Sequence, residues 1–378
     1  MATPSETRPD ADDPSVVHTF GRVTVTAAAS HTRTDDAGPA AVAEANDSDN
    51  ENVEGVESDG DEAKDLFEGV SDDADDLDFT HARIRDLLTL NLQRFKKLKY
   101  LGLRQNRITK IAGFVDMPAL LELDLYDNRI SVVENLDGLP NLTSLDLSFN
   151  RIREIQNVNH LTHLTDLYFA ANKISVIENL ASLTLITNLE LGANRLRKIE
   201  NLDTLVNLEQ LWLGKNKITK IEGLEKLTKL RIMSIQSNRL QKIEGLSTLE
   251  SLEELYLSHN GISRLEGLEG CRKLRIIDVG TNRISLIEGL EACTVLEELW
   301  ANHNLITTLN DPSFEQQLGP KVKPTLTTLY LEGNPLQESA GGTYRLKVQL
   351  AMPQLIQIDA VMIAQKTGVA SLAAIGHS

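Results

Sequence analysis

An asparagine recurs every 22 residues along most of this chain, and no other feature restricts the possible folds as strongly. Ten copies stand in one register: Asn106, Asn128, Asn150, Asn172, Asn194, Asn216, Asn238, Asn260, Asn282 and Asn304. Each lies within the pattern L-x-x-L-x-L-x-x-N-x-I-x-x-I-x-x-L-x-x-L, and the copy that starts at Leu208 reads LEQLWLGKNKI. A fixed period of this kind indicates stacked units, none of which can bury its apolar side chains alone.

The pattern is the signature of the leucine-rich repeat in its short form. Side chains alternate in the L-x-L segment, so we expect Leu211 and Leu213 to face the core and Trp212 to face solvent. The asparagine amide offers donors and an acceptor to backbone groups inside the turn. We therefore predict an α/β solenoid. It is a leucine-rich-repeat horseshoe of 22-residue repeats, with a parallel concave β-sheet and short helical or 3-10 turns on the convex side.

The charge distribution divides the chain into a tail and a body. Residues 1–78 hold 22 Asp and Glu against 4 Lys and Arg, whereas the rest of the chain holds 33 against 34. The tail has few apolar residues and no pattern among them, so burial cannot offset the entropy of ordering it. The expected organisation is an acidic disordered tail at 1–76, an N-terminal cap with an irregular first repeat at 77–100, leucine-rich repeats at 101–334, a C-terminal cap at 335–362 and an unassigned tail at 363–378.

The two ends of such a stack expose apolar edges and need caps. In the N-terminal cap we expect core positions at Leu77, Phe79, Ile84, Leu87, Leu88, Leu92 and Phe95. In the C-terminal cap the residues expected to cover the last edge are Tyr344, Val348, Leu350, Leu355 and Ile358. The last repeat asparagine, Asn334, follows Asn304 by 30 residues, and we expect the additional eight residues in a loop at 310–324.

Several classes of protein are disfavoured by composition. The chain has no run of 18 or more apolar residues, and residues 1–13 lack the apolar centre of a signal peptide. Two cysteines in 378 residues do not support a disulfide-stapled scaffold. We therefore expect a soluble, reduced intracellular protein. Cys271 and Cys293 occupy a position that is leucine in most repeats, which favours buried thiols over a metal or redox site.

No catalytic motif is present in the sequence. It contains no P-loop, no G-x-G-x-x-G, no H-E-x-x-H and no G-x-S-x-G. The histidines are scattered, and we expect those at 160, 163, 259 and 303 in turns or in solvent. The sequence thus favours a non-catalytic protein without a cofactor or a metal.

The residue four positions before each asparagine is expected to point outward from its predicted strand. Aligned over all repeats, these residues are the most informative about what the protein binds. They are Gly102, Asp124, Asp146, Tyr168, Glu190, Trp212, Ser234, Tyr256, Asp278, Trp300 and Tyr330. Rigid aromatic side chains with charges beside them are typical of protein-binding surfaces. The alternative is that the rings only stabilise the sheet by stacking across strands.

A second column bears on nucleic-acid binding. The residue after the asparagine is basic in eight of ten repeats: Arg107, Arg129, Arg151, Lys173, Arg195, Lys217, Arg239 and Arg283. Five residues further on, most repeats carry an acid: Glu134, Glu178, Glu200, Glu222, Glu244, Glu266 and Glu288. We expect the two columns to offset each other, and a neutral body does not provide the positive field that binds phosphates. Neither a nucleic acid nor a membrane is expected as a partner.

Three sequence segments give the chain a more specific resemblance to one family. They are LDLYDN at 123–128, LYLSHNGI at 255–262, and the ending Tyr344-Arg345, Lys347-Val348, Pro353 and Ile358-Asp359. Together with the acidic tail and the unbroken repeats, they resemble the leucine-rich-repeat regulatory subunit of protein phosphatase 1, the regulatory subunit 7 family. The likeness covers about residues 75–362.

The resemblance implies a function. Members of this family bind the phosphatase catalytic subunit, alone or with a further inhibitor protein, and control its activity, assembly and targeting in the nucleus, the cytoplasm and mitosis. The implied contacts on the concave face are Asp146, Tyr168, Glu190, Trp212, Asp278, Glu298, Trp300 and Tyr330. Two of these positions, 168 and 212, are often Phe in the family, so an aromatic side chain is retained at both.

A different partner is the main alternative. The same repeats serve as scaffolds in spliceosomal, ciliary and cytoskeletal proteins. The short basic-Val/Ile-x-Phe/Trp motif of many phosphatase partners has no good copy here, because Arg22-Val23-Thr24-Val25 ends in valine. Recognition would therefore depend on the folded face.

Overall fold

The computed structural model describes residues 69–307, 322 and 324–363 of the 378-residue chain. Their strands form one sheet of 14 strands arranged in chain order. The strands are β1 (Asp76–Asp78), β2 (Tyr100–Gly102), β3 (Glu122–Asp124), β4 (Ser144–Asp146), β5 (Asp166–Tyr168), β6 (Asn188–Glu190), β7 (Gln210–Trp212), β8 (Ile232–Ser234), β9 (Glu254–Tyr256), β10 (Ile276–Asp278), β11 (Glu298–Trp300), β12 (Thr328–Tyr330), β13 (Gln357–Ile358) and β14 (Val361–Met362). Neighbours pair in parallel except β13 and β14, which are antiparallel. The parallel solenoid predicted from the repeat is thereby confirmed.

Strand pairing follows the repeat. Leu189 of β6 lies opposite Leu211 of β7, an offset of one 22-residue unit, so equivalent positions of successive repeats stand side by side. Leu299 of β11 lies opposite Leu329 of β12, so the same register is kept across the longer last repeat. Because the register is constant, each sequence column becomes a physical row across the sheet.

The repeat asparagines form a hydrogen-bonded ladder beneath the sheet. The Nδ2 of Asn216 donates to the carbonyl oxygen of Leu191 at 2.9 Å and to that of Leu213 at 3.0 Å. Its Oδ1 accepts from the backbone N–H of Leu196 at 3.0 Å. The amide thus joins its own repeat to the one before it, and it satisfies the N–H of Leu196, which would otherwise be buried without a partner. The two carbonyls also accept from the neighbouring ladder amides of Asn194 and Asn238.

Turns, and no helix, return the chain between β2 and β11 in the part of the molecule that the structure describes. They take the form of isolated i→i+3 bonds, as from Leu139 N to Leu136 O at 3.0 Å and from Leu142 N to Leu139 O at 3.3 Å. Buried side chains recur every three residues here, which matches i→i+3 turns better than the 3.6-residue period of an α-helix. The expected short helical or 3-10 turns are therefore single turns.

Two 3-10 helices close the N-terminal end, Leu87–Leu90 and Leu92–Arg94. Asp86 caps the first, since its Oδ1 accepts from the backbone N–H of Leu88 at 2.9 Å. All of the expected N-terminal core positions are buried except Leu88, whose side chain is 65% exposed. That expectation was wrong because leucine at a capped helix start turns outward when its neighbours Leu87 and Leu90 already fill the inner side.

The C-terminal end is covered by α1 (Pro335–Ala340), a 3-10 helix (Gly341–Thr343) and α2 (Tyr344–Ala351). Asp359 is fully buried and accepts from the backbone N–H of Leu331 at 2.9 Å and from Tyr344 Oη at 3.2 Å, which ties α2 to the last full repeat. Leu350 was wrongly expected in this cap, since it is 73% exposed on the outer side of α2 while Val348 is buried.

Some expectations fall outside the described residues. They concern the tail at 1–68, the segment Arg22–Val25, most of the loop at 310–324 and residues 364–378. The domain boundaries remain predictions, with β1 starting at Asp76, one residue before the expected cap boundary.

Candidate protein-binding face

The outer side of the sheet, called the sheet face below, carries the first and third residue of each three-residue strand. In β7 the central Leu211 is fully buried, whereas Gln210 and Trp212 are partly exposed. The alternation follows from the pleat, which turns successive side chains to opposite sides. Short strands with one inward leucine therefore display two side chains each on a continuous surface.

All eight residues implied by the resemblance lie on the sheet face and are partly exposed. They form two groups of register neighbours. The first runs across β4–β7 and comprises Asp146, Tyr168, Glu190 and Trp212. The second runs across β10–β12 and comprises Asp278, Glu298, Trp300 and Tyr330. The column is interrupted at β8, because Ser234 is buried and bonded to Gln236. Their role in binding stays a prediction.

The second group is built around Trp300. Its ring centroid lies 5.6 Å from that of Tyr330 and 6.5 Å from that of Tyr256. The indole Nε1 donates to Glu298 Oε2 at 3.1 Å, and Tyr256 Oη donates to Glu254 Oε2 at 2.8 Å. Tyr256 belongs to this aromatic cluster although the resemblance did not include it; its aromatic character in the outward column was the available signal.

The first group is held together by Asn188, which sequence reasoning did not single out. Its Nδ2 donates to Tyr168 Oη at 3.1 Å, and its Oδ1 accepts from Trp212 Nε1 at 3.1 Å. Asn188 therefore fixes two rings that lie on the strands either side of its own. The polar groups of both rings are satisfied within the chain, so each ring offers mainly apolar surface to a partner.

Carboxylates crowd the N-terminal part of the sheet face. Burial, together with the nearby Asp146, raises the pKa of Asp124 to about 6, although Arg104 opposes the shift. Burial also raises the pKa of Asp146, and burial and then Asp146 raise that of Glu190. Asp146 Oδ1 accepts from the backbone N–H of Ser148 at 2.8 Å, which orients its carboxylate. The pKa values of all three carboxylates are thus raised, chiefly because burial disfavours their charged forms.

A row of three side chains flanks these carboxylates at the turn that follows β2–β4. We call it the rim stack: Arg104, Tyr126 and Phe149. The guanidinium carbon of Arg104 lies 4.1 Å from the centre of the Tyr126 ring, and that ring lies 4.8 Å from the Phe149 ring. Arg104 also pairs with Asp124, with 3.0 Å between Nη1 and Oδ2. Sequence reasoning missed this row, whose only signal was a phenylalanine directly before a repeat asparagine.

Several glutamates of the acidic column form ion pairs with nearby basic residues. Lys198 lies 3.6 Å from Glu200 and Lys220 lies 3.2 Å from Glu222, each pair measured between Nζ and Oε2. Glu288 pairs instead with Arg264 of the preceding repeat, at 2.9 Å. The basic residues of these three pairs, Lys198, Lys220 and Arg264, do not belong to the column that follows the asparagines. These pairs are exposed and contribute little to stability.

The cysteines are core residues, as predicted. Cys271 and Cys293 are buried, and burial raises their thiol pKa values to about 11 and about 12. Thiols with such pKa values are poor nucleophiles and metal ligands near neutral pH. Among the described residues no group of His, Cys, Asp or Glu is arranged to hold a metal ion. None of the described helices has the length and apolar character needed to span a bilayer.

Comparison with known families agrees with the geometry. The model described as "Leucine rich repeat" matches residues 96–152, and that described as "Leucine Rich repeats (2 copies)" matches residues 206–248 and 250–292. The chain is built from leucine-rich repeats. A curated relative, protein phosphatase 1 regulatory subunit SDS22 of Schizosaccharomyces pombe, is 49% identical over 62 residues. That match covers 16% of this chain and 18% of the relative.

Solved leucine-rich-repeat structures share the fold. A leucine-rich-repeat protein of Leptospira interrogans matches with a TM-score of 0.59 and 22% identity, over 78% of this chain and 86% of that one. An internalin of Listeria monocytogenes matches with a TM-score of 0.54 and 23% identity, over 73% of this chain and 71% of that one. At these identities the likeness concerns the architecture alone.

Proposed function

We propose that this chain is a non-catalytic regulatory subunit that binds the catalytic subunit of protein phosphatase 1 through the sheet face. The observation that carries the proposal is the contiguity of the implied contact residues, which gather into two groups of neighbouring strands. The 62-residue match to SDS22, whose name states that it is a phosphatase 1 regulatory subunit, supports the same partner.

The chemistry of the two groups suits different tasks. The aromatic cluster around Trp300 supplies rigid apolar area, which is what the energetic centre of a protein interface requires. The group around Asp146 and Glu190 supplies partly exposed carboxylates, which favour a partner with a basic patch and speed its approach. Rings already bonded to Asn188 and Glu298 need little further ordering on binding.

The test is direct binding of the full chain to purified phosphatase 1 catalytic subunit by calorimetry. We expect a 1:1 complex that the Glu190→Ala, Trp300→Ala double variant loses. A Leu286→Ala variant, changed at an exposed apolar residue outside the sheet face, should bind as wild type does. Absence of binding by the wild-type chain would reject this partner and leave a scaffold for another protein.

Control of the phosphatase follows from occupancy of its surface. We expect the bound chain to change the activity or the partner choice of the catalytic subunit, and we place the complex in the nucleus and the cytoplasm because the family resemblance implies it. Phosphatase assays with and without the chain, on one small and one protein substrate, separate an effect on chemistry from an effect on substrate access.

A further inference from the structure

Phe149 occupies a backbone position that does not suit it. It lies in the left-handed region, with φ of 55°, and its side chain is 48% exposed. The position before each repeat asparagine adopts this conformation, and the other repeats fill it with smaller, polar or charged residues: Gln105, Asp127, Ala171, Ala193, Lys215, Ser237, His259, Thr281 and His303. Left-handed backbone disfavours a bulky side chain, and burial does not compensate here. Because folding does not require phenylalanine at this unfavourable backbone position, its presence points to a role on the surface.

The ring of Phe149 ends the rim stack. Arg104, Tyr126 and Phe149 follow one another in three successive repeats, with 4.1 Å from guanidinium to ring and 4.8 Å from ring to ring. The ring spacing is close to the distance between neighbouring strands, and the two rings are tilted by 44° to each other, so each repeat contributes one side chain to the row. In the next repeat the position equivalent to Phe149 is Ala171, and in the one after it is Ala193. The positions equivalent to Phe149 in the next two repeats therefore carry a methyl side chain in place of a ring.

Most of the charged groups near the rim stack are carboxylates. Asp124 and Asp146 both act electrostatically on Arg104 and on Tyr126, and Asp127 adds to the field at Tyr126. Arg104 is the one cation among them and is already paired with Asp124. Burial and then the neighbouring Asp146 raise the pKa of Asp124, so these two carboxylates lie close enough to interact. A further positive group is therefore favoured beside the open end of the stack.

We propose that the rim stack is a docking surface for an arginine from a basic segment of a partner protein, whose guanidinium lies against Phe149 in the layer above Ala171. Arg104 already displays the same recognition inside the chain, since it stacks on a ring while it pairs with a carboxylate. A planar guanidinium stacks on aromatic rings and binds carboxylates better than an ammonium does. The inference rests on the proposed function for the existence of a protein partner and adds the chemistry of one contact.

Arginine peptides provide the test. The probe is a fluorescein-labelled nonapeptide of three Gly-Arg-Ser units, with matched peptides that carry lysine or citrulline in place of arginine. Fluorescence anisotropy with the full chain should give affinities in the order arginine, lysine, citrulline, with arginine about threefold to tenfold tighter than lysine. Phe149→Ala should remove the preference of arginine over lysine. Its fold should persist, because alanine occupies the equivalent position in the next two repeats.

The controls separate this inference from general attraction. Leu305→Ala removes another exposed apolar residue in the turn of a distant repeat and should leave the preference unchanged. Trp300→Ala should weaken phosphatase binding without affecting the arginine peptide, so the two proposals fail separately. Equal affinities of wild type for the arginine and lysine peptides, no binding of either, or an unchanged preference in Phe149→Ala would each overturn the docking surface.

Discussion

Trp300 donates its indole N–H to Glu298 Oε2 over 3.1 Å, and both side chains emerge on the same side of β11. The bond satisfies the polar group of the indole inside the chain, and the rings of Tyr256 and Tyr330 lie on either side of it. The orientation of Trp300 is therefore set before a partner arrives. An anchor fixed in this way loses little side-chain entropy on binding.

Replacing Trp300 should have the largest effect on phosphatase binding. Trp300→Ala removes the centre of the aromatic cluster, and such anchors commonly contribute about 2 kcal/mol or more. We expect at least a ~30-fold rise in Kd with an unchanged melting temperature, measured by calorimetry and circular dichroism. Arg283→Ala, in the basic column outside the sheet face, is the control. Normal binding by Trp300→Ala together with weak binding by Arg283→Ala would move the functional surface to the basic column.

Substitutions of Glu298 can separate two contributions to phosphatase binding: the negative charge of this residue and its hydrogen bond that orients Trp300. Glu298→Gln keeps an oxygen that can accept from Trp300 and loses the negative charge, whereas Glu298→Ala loses both. We expect Glu298→Gln to weaken binding severalfold at low salt, with the difference from wild type shrinking at high salt because exposed charges are screened. Glu298→Ala should stay weaker than Glu298→Gln at every salt concentration. Identical behaviour of the two variants would show that the bond to Trp300 has no effect on binding.

Each asparagine of the ladder should contribute measurably to the stability of the chain. Asn216→Ala leaves the buried N–H of Leu196 without a partner and removes one of the two amide bonds to each of the carbonyls of Leu191 and Leu213. We expect a loss of about 1–3 kcal/mol in the free energy of unfolding, measured by urea denaturation. The control is Asn207→Ala, whose two bonds, to the carbonyl of Thr184 and from Lys229 Nζ, are exposed and should contribute less. Equal losses for the two variants would contradict the ladder argument.

Stability should depend on pH through Asp124. Its pKa is raised to about 6 in the folded chain, so between about pH 4 and pH 6 the folded form keeps a proton that the unfolded form has lost. The wild type therefore loses stability as pH rises through this window. Asp124→Asn cannot titrate, so relative to wild type it should gain about 2–3 kcal/mol between pH 4 and pH 7.

Denaturation curves at pH 4, 5, 6 and 7 measure this difference. Asp203→Asn, at an exposed position away from the sheet face, is the matched control. A constant offset between Asp124→Asn and wild type across the series would show that the crowding of carboxylates has no energetic consequence.

The register of the sheet and its core were predictable because one side-chain amide has to meet the same backbone groups in each repeat. That requirement fixes the 22-residue offset, from which the inward position of Leu211 and the outward position of Trp212 follow. Leu88 and Leu350 were misplaced because apolar character alone does not say which side of a short helix faces the core.

Contacts between repeats were harder to foresee. Asn188 bonds to the rings of Tyr168 and Trp212 on both neighbouring strands. These bonds depend on side-chain rotamers, which the aligned repeat sequences do not reveal. The rim stack depends equally on the direction that the left-handed backbone gives to Phe149. Sequence columns predict which residues share a row, whereas bonds within the row depend on side-chain conformation.

The ladder also determines how a chain of this kind can change in length. Asn334 makes the same bonds as the other ladder asparagines, to the N–H of Ile306 and the carbonyl of Ala301, although its repeat is eight residues longer. Additions between Thr307 and Pro324 are thus compatible with the stack, whereas an addition between a strand and its asparagine would break three bonds at once. Duplication or loss of one whole unit preserves the ladder bonds of the units that remain. The molecule is therefore suited to evolve by whole-repeat steps, with new segments grafted at the outer turns.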